Sequence, residues 1–277
     1  MLATIARPRA LRLLAAIGAT LIGLAVGSDG WAGSDGRKHE TWNWSGTLAA
    51  GRTLEINGVN GDIDAGPSTG NRVEVVADKS GKRSDPATVK IEVVEDSDGI
   101  TICAVYPGQG SACTGSRKGS SWRNHSDVSV QFTVKVPAGV TFAANTVNGG
   151  VTARSLEGPV RAHTVNGSCE IETVGGGEAA TVNGNVRATL GRLSQSDRLD
   201  FSSVNGNITL NLPASFDADL EGSTVNGSIE TDFPVTVSGK WGPRNMHGTV
   251  GRGGAKLSAS TVNGSIRLRK NAGRSAD

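Results

Sequence analysis

Beyond its first 26 residues this chain has no long apolar run and no amphipathic helical period. Aromatic residues are scarce, at 4% of 277, and charged residues make up 19%. There is no collagen period and no long low-complexity run, which excludes the fibrous and compositionally disordered classes. Chemistry-bearing patterns are thin as well. No His or Cys pair has zinc-ligand spacing. No serine sits in a nucleophile elbow, and the nonapeptide calcium-roll pattern is missing. Glycine, in contrast, is abundant at 39 residues. The balance is that of a folded, turn-rich protein, long enough for one large or two ordinary domains.

The N-terminus stands apart. Arg7, Arg9 and Arg12 precede a charge-free run from Leu13 to Val26, and small residues come after it. This is the plan of a secretory signal peptide, with cleavage expected after Gly27 or Ala32. A run of about 14 residues is shorter than the roughly 20 that span a bilayer, so no stable membrane span is expected after cleavage. No cysteine follows the run, which argues against lipoprotein anchoring. Residues 1–32 hold three Arg and one Asp, and the whole chain is formally +2, so the remainder is near neutral. Nucleic-acid binding loses its electrostatic support. Cys103 and Cys113 flank a turn-rich stretch. In an oxidising compartment they are expected to form a disulfide, the alternative being two free thiols.

A repeat organises the chain. Val-Asn-Gly occurs at Val59, Val147, Val165, Val182, Val204, Val225 and Val262. From Asn148 the asparagines step by 18, 17, 22, 21 and 37 residues. The last step suggests a hidden turn, placed at Met246-His247-Gly248, with His standing in for Asn at positive φ. Two residues after each glycine stand Val151, Cys169, Val186, Ile208, Ile229, Val250 and Ile266. The position before is small or polar throughout, and polar residues follow outward. This is the period-2 alternation of strands with one buried face. Because the same strand follows every turn, like stacks on like. Each unit of about 17 to 22 residues reads as one coil of an all-β, parallel β-solenoid (a single-stranded β-helix), right-handed by the crossover rule. A weaker half-repeat at Leu156–Val160 suggests a second strand per coil.

The expected layout is a signal peptide over 1–32, a less regular β-rich part over 40–144, the repeat solenoid over 145–270 and a polar tail over 271–277. Strand-like runs in the second part are Arg72–Ala77, Val89–Val94, Ile100–Tyr106 and Val128–Val136, with an exposed loop near 108–126.

The tandem Thr-Val-Asn-Gly turns, Val136-Pro137-Ala138-Gly139 and the closing run from Gly248 to Leu268 resemble the bacterial "putative adhesin" family, domain of unknown function 4097. The resemblance covers about residues 45 to 270. It implies a β-helix, export or envelope association, and no catalytic residue.

The remaining candidates favour bland readings. Glu157, Glu170, Glu172, Glu221 and Glu230 are scattered, and Arg187 is expected beside Glu170 on the next coil, as a cross-strand ion pair. His39 and His125 lie in polar segments, His163 at a coil end, His247 in the degenerate turn. Asp62-Ile63-Asp64 is a weak calcium suggestion. Trp42 and Trp44 share one strand face and suit a cap on the core better than a sugar platform. Arg117, Lys118, Trp122 and Arg123 suit a solvated loop. Cys169 is expected to be buried and unpaired in its Val/Ile column. Asn148, Asn166, Asn183, Asn205, Asn226, His247 and Asn263 are expected to form a structural ladder along the axis, each amide bonded to the coils above and below. The expected function is a non-enzymatic exported envelope or surface module, with no cofactor, no metal and no nucleic acid. A partner would be an envelope component, polysaccharide or protein. The competing reading is a carbohydrate-active β-helix enzyme, which requires a grouped carboxylate cleft.

Overall fold

The computed structural model describes residues 36–108, 113, 126–194, 197–237 and 244–271. The signal-peptide segment, His125, the basic patch at 117–123, most of the 108–126 loop and nearly all of the tail lie outside them. The described strands begin with β1 (Lys38–Thr47), β2 (Thr53–Asn57), β3 (Ile63–Pro67), β4 (Arg72–Gly81), β5 (Lys90–Glu95), β6 (Gly99–Val105) and β7 (Ser129–Val136). Regular coils come next as β8 (Thr141–Asn145) with β9 (Val151–Leu156), then β10 (Val160–His163) with β11 (Cys169–Thr173). After them lie β12 (Gly177–Asn183) with β13 (Val186–Leu190), and β14 (Arg198–Asn205) with β15 (Ile208–Leu212). The chain closes with β16 (Ala218–Asn226), β17 (Ile229–Thr231), β18 (Val235–Val237), β19 (Asn245–Val250), β20 (Ala255–Asn263) and β21 (Ile266–Lys270). No α-helix occurs among the described residues.

The strands form two sheets, one of ten strands and one of eleven, whose middle ladders are parallel. Each parallel coil of the repeat contributes one strand to each sheet and turns between them at Val-Asn-Gly, preceded by Thr in most coils. The protein is therefore β-solenoid-like, with two strands per coil. Its core is the column set expected from the alternation. Val151, Cys169, Val186, Ile208, Ile266 and Ile229 are in register, all but the last buried. Phe142, Val160, Phe201 and Leu257 face them from the other sheet.

The stacking order departs from chain order at both ends. At one end the eleven-stranded sheet runs β14, β20, β16, and the ten-stranded sheet runs β15, β21, β17. The last coil in sequence is thus slotted between the two before it. At the other end β2 lies between β6 and β8, and β3 between β7 and β9. Antiparallel strands then close the stack: β4 and β1 outside β7, β5 outside β6, β19 and β18 outside β16. Trp42 and Trp44 of β1 pack against the core there.

This arrangement corrects the hidden coil. Thr249-Val250 is a strand, but it runs antiparallel to β16, with Gly248 opposite Leu220 and His247 opposite Glu221. Gly248 is held for close packing: a Cβ there would lie 2.5 Å from Val235. The 37-residue step arises because a hairpin caps the stack before the chain returns to insert β20 and β21.

Candidate functional site

Four columns meet at the Thr-Val-Asn-Gly corner. The asparagine amides form an unbroken chain of Nδ2 donors to Oδ1 acceptors. Asn148 donates to Asn60 at 2.8 Å, Asn166 to Asn148 at 2.8 Å, Asn183 to Asn166 at 2.9 Å and Asn205 to Asn183 at 2.9 Å. Asn263 then donates to Asn205 at 2.7 Å, and Asn226 to Asn263 at 2.7 Å. Asn60, a repeat member outside the expected set, is one end of the chain and Asn226 is the other. His247 takes no place in it, because its strand runs antiparallel and has no turn there.

The other columns carry roles that the repeat did not announce. Before every corner valine except Val59, which follows Gly58, stands a buried hydroxyl that donates to the glycine carbonyl of the neighbouring coil. Examples are Thr164 to Gly149 at 2.7 Å, Thr181 to Gly167 at 2.8 Å and Ser203 to Gly184 at 2.9 Å. Most residues after the corner glycines accept a backbone N–H from the next coil through their side chains, as Asn185 Oδ1 does from Asn207 at 2.8 Å and Asn207 Oδ1 from Ser265 at 2.8 Å, Gly150 having no side chain to do so. Asp62 joins this row by accepting from Gly150 at 2.7 Å, a use internal to the fold. Valine is the apolar member that faces outward: Val165, Val182, Val204, Val262 and Val225 form an exposed stripe beside the asparagines.

The glycines of the corner serve close approach more than left-handed backbone. Only Gly61 and Gly149 of this column have φ in the left-handed range, at 127° and 156°. The shared requirement is close approach, since a Cβ on Gly184 would sit 1.9 Å from the carbonyl oxygen of Gly167. No asparagine of the ladder has positive φ, so the expected exchange of His for Asn at positive φ does not arise.

One open groove of about 650 Å³ lies on the outer face of β14, β20, β16 and β19. Register places Arg198, Lys256, Asp219 and Thr249 in one row, and Asp200, Ser258, Glu221 and His247 in the next. Thr249 donates to Asp219 at 3.0 Å. The fold thus gathers Glu221 and His247, which looked unrelated in sequence. The β16–β19 antiparallel pairing, invisible to the repeat, brings them together.

The corner recurs from Asn60 to Asn263, all within the span that a family model matches. The chain belongs to the Toastrack DUF4097 family, whose model matches residues 52–269. A putative cell adhesion protein from Clostridium sporogenes is similar in structure, at 9% identity and a TM-score of 0.45, covering 84% of this chain and 100% of that one. A putative adhesin from Bacteroides fragilis is 14% identical at a TM-score of 0.36, covering 83% and 97%. A putative lipid binding protein from Parabacteroides distasonis is 14% identical at 0.28, covering 83% and 96%. No curated protein matches significantly.

In this Toastrack chain Cys103 and Cys113 form a disulfide, and Cys169 is a buried free thiol. Burial pushes the Cys169 pKa up to about 12. Glu170 lies beside Arg187 in register. Glu230 pairs with Arg267 at 3.4 Å and Arg269 at 3.2 Å. His163 sits between Asn145 at 3.1 Å and Glu178 at 3.4 Å. Among the described residues no cluster of three His, Cys, Asp or Glu is arranged to hold a metal ion, and no helix is long and apolar enough to cross a membrane.

Proposed function

We propose that this Toastrack protein is an exported, non-enzymatic envelope or surface module that binds through the polar faces of a right-handed solenoid. The handedness follows from the near-universal hand of parallel crossovers. Export is supported by the signal-like N-terminus and by a disulfide of the kind that persists in oxidising compartments. One observation carries the reading. The corner asparagines, the most repeated polar residues, are spent on one another in an unbroken chain. The repeat therefore builds a scaffold, and contact with a partner falls to exposed faces such as the groove. The groove mixes both charge signs with hydroxyls and stays open to solvent, which suits polar contact with an envelope polysaccharide or protein.

A carbohydrate-active enzyme is the second reading, favoured by Asp200 and Glu221 sharing the groove. They lie two strands apart, about 10 Å at the usual strand spacing, at the upper limit of the carboxyl separation in inverting glycosidases. Fractionation of cells expressing a tagged copy should place it outside the cytoplasm, shortened at its N-terminus. A full-length copy confined to the cytosol would refute the proposal. Incubation with envelope polysaccharide should release no reducing ends; release that vanishes in Glu221→Gln would establish the enzyme instead.

A further inference from the structure

The inverted stacking order creates a slot. Ala255–Lys270 lies between the β14/β15 coil and the β16/β17 coil and pairs in parallel with both flanks in both sheets. Every main-chain bond the segment makes to its flanks is therefore strand addition, the mode by which an extended peptide docks on an open sheet edge. We propose that this slot is an exchange site, which takes the Ala255–Lys270 segment of a second copy of this chain as well as its own.

Three features carry the inference. The first is the linker. Gly251, Gly253 and Gly254 have φ of 60°, 74° and 137°, so the chain crosses the start of β16 on residues that change conformation cheaply. The second is the fastening. Asp217 accepts from the Arg252 backbone N–H at 3.0 Å and from its Nε at 3.1 Å and Nη2 at 3.0 Å. Those three bonds hold the Asp217 carboxyl below the usual carboxylate range. The Arg252 side chain is 90% exposed, and exposed ion pairs contribute little to stability. The fastening biases the linker without locking it.

The third feature is the equivalence of the coils. Thr261, Asn263, Ser265 and Ile266 of the inserted segment repeat the columns of Thr224, Asn226, Ser228 and Ile229 in its flank. When the segment leaves, the flanks present matching surfaces to each other. When a second copy supplies it, each bond lost is remade, including the Arg267 and Arg269 pairs to Glu230 and the Arg269 pair to Asp232. Exchange of identical elements between protomers is a low-cost route to a dimer. A second copy of this chain fits the slot, because it carries a strand–turn–strand unit with this column order together with Arg267 and Arg269 opposite Glu230 and Asp232.

Cross-linking reads the exchange directly. Ser202 of β14 and Ser260 of β20 are register partners, both half-buried on the outer face. Chains carrying Ser202→Cys and chains carrying Ser260→Cys are mixed, taken briefly into partly denaturing urea, diluted and oxidised. A disulfide between the two variants rises above the collisional background only where β20 of one copy lies beside β14 of the other. The expected result is a covalent heterodimer far beyond the roughly twofold excess over Ser202→Cys homodimer that random collision gives in an equimolar mix, its yield raised several-fold by Arg252→Ala in both chains. A heterodimer at no more than about twice the Ser202→Cys homodimer, the ratio random collision gives in an equimolar mix, from variants that melt like the wild type, would overturn the proposal. So would a wild-type chain that stays monomeric on size exclusion through the same urea cycle.

Discussion

At the residue scale the corner separates what recurs from what stabilises most. Asparagine is the conspicuous repeat, yet its amides are exposed, so water replaces much of a lost bond. Asn183→Ala should cost about 1 kcal/mol. Asn263→Ala should cost the same, since it is interior to the ladder, and the end member Asn226→Ala less. Thr181 is buried, and Thr181→Ala removes the donor to the Gly167 carbonyl in a place water does not reach. That change should cost about 1–3 kcal/mol, more than Asn183→Ala. Gly184→Ala drives a methyl into a backbone oxygen and should cost about 3 kcal/mol or more. Urea melts of these variants give the ranking; Asn183→Ala as the most damaging would contradict it. Cys169 adds a pH dependence with a definite sign. Its folded pKa lies above that of an unfolded thiol, so its contribution is complete below the ordinary thiol value. It is lost as pH rises toward about 12. Wild type should lose more stability than Cys169→Ala between about pH 8 and about pH 10.5, and the native thiol should resist alkylation. Asparagine spacing and the Cys169 column were legible because both follow the repeat. The hydroxyl's bond was not, because a buried Thr and a solvated Thr look alike in one sequence.

At the element scale the parallel coils could be read from alternation, while the closing elements could not. Antiparallel β18 and β19 carry no repeat of their own. Their apolar residues mimic a coil closely enough that Gly248-Thr249-Val250 reads as one. Their role is physical: a parallel stack leaves an unpaired strand edge at each end, and uncovered edges recruit other chains. Replacing residues 234–250 by a short Gly/Ser linker should keep the coils and expose the edge of β16. Light scattering should then show concentration-dependent aggregation; a monodisperse product would show that β19 is dispensable. The disulfide is a different kind of fastening. It joins β6 to the loop beyond it and packs with Val94 and Val105 in a small cluster apart from the main core. Closing so short a loop contributes at most about 3 kcal/mol. Reduction should lower the melting temperature and leave the corner ladder intact.

At the scale of the whole molecule, sequence order and spatial order part company, and stability should follow space. In a solenoid each coil contacts only its neighbours, so end coils fray and interior coils open only with larger units. By sequence Ala255–Lys270 is the last coil and would be the first to fray. By position it is interior, flanked on both sides in both sheets, while β16/β17 is the outermost parallel coil. Column pattern alone could not reveal this, because every coil offers the same hydroxyl, amide and apolar positions and any coil fits beside any other. What fixes the order is the hairpin that carries the chain past β16 and the glycine linker that brings it back. Native-state hydrogen exchange separates the two orders without altering the protein. Amides of Leu257, Ala259, Ile266 and Leu268 should be protected more strongly than those of Thr231 and its neighbours in β17. Protection should rise again from β16 toward β14. If amides were instead lost progressively from residue 270 backward, with β20 and β21 exchanging before β17, the last coil would lie at the end of the stack and the slot would not exist.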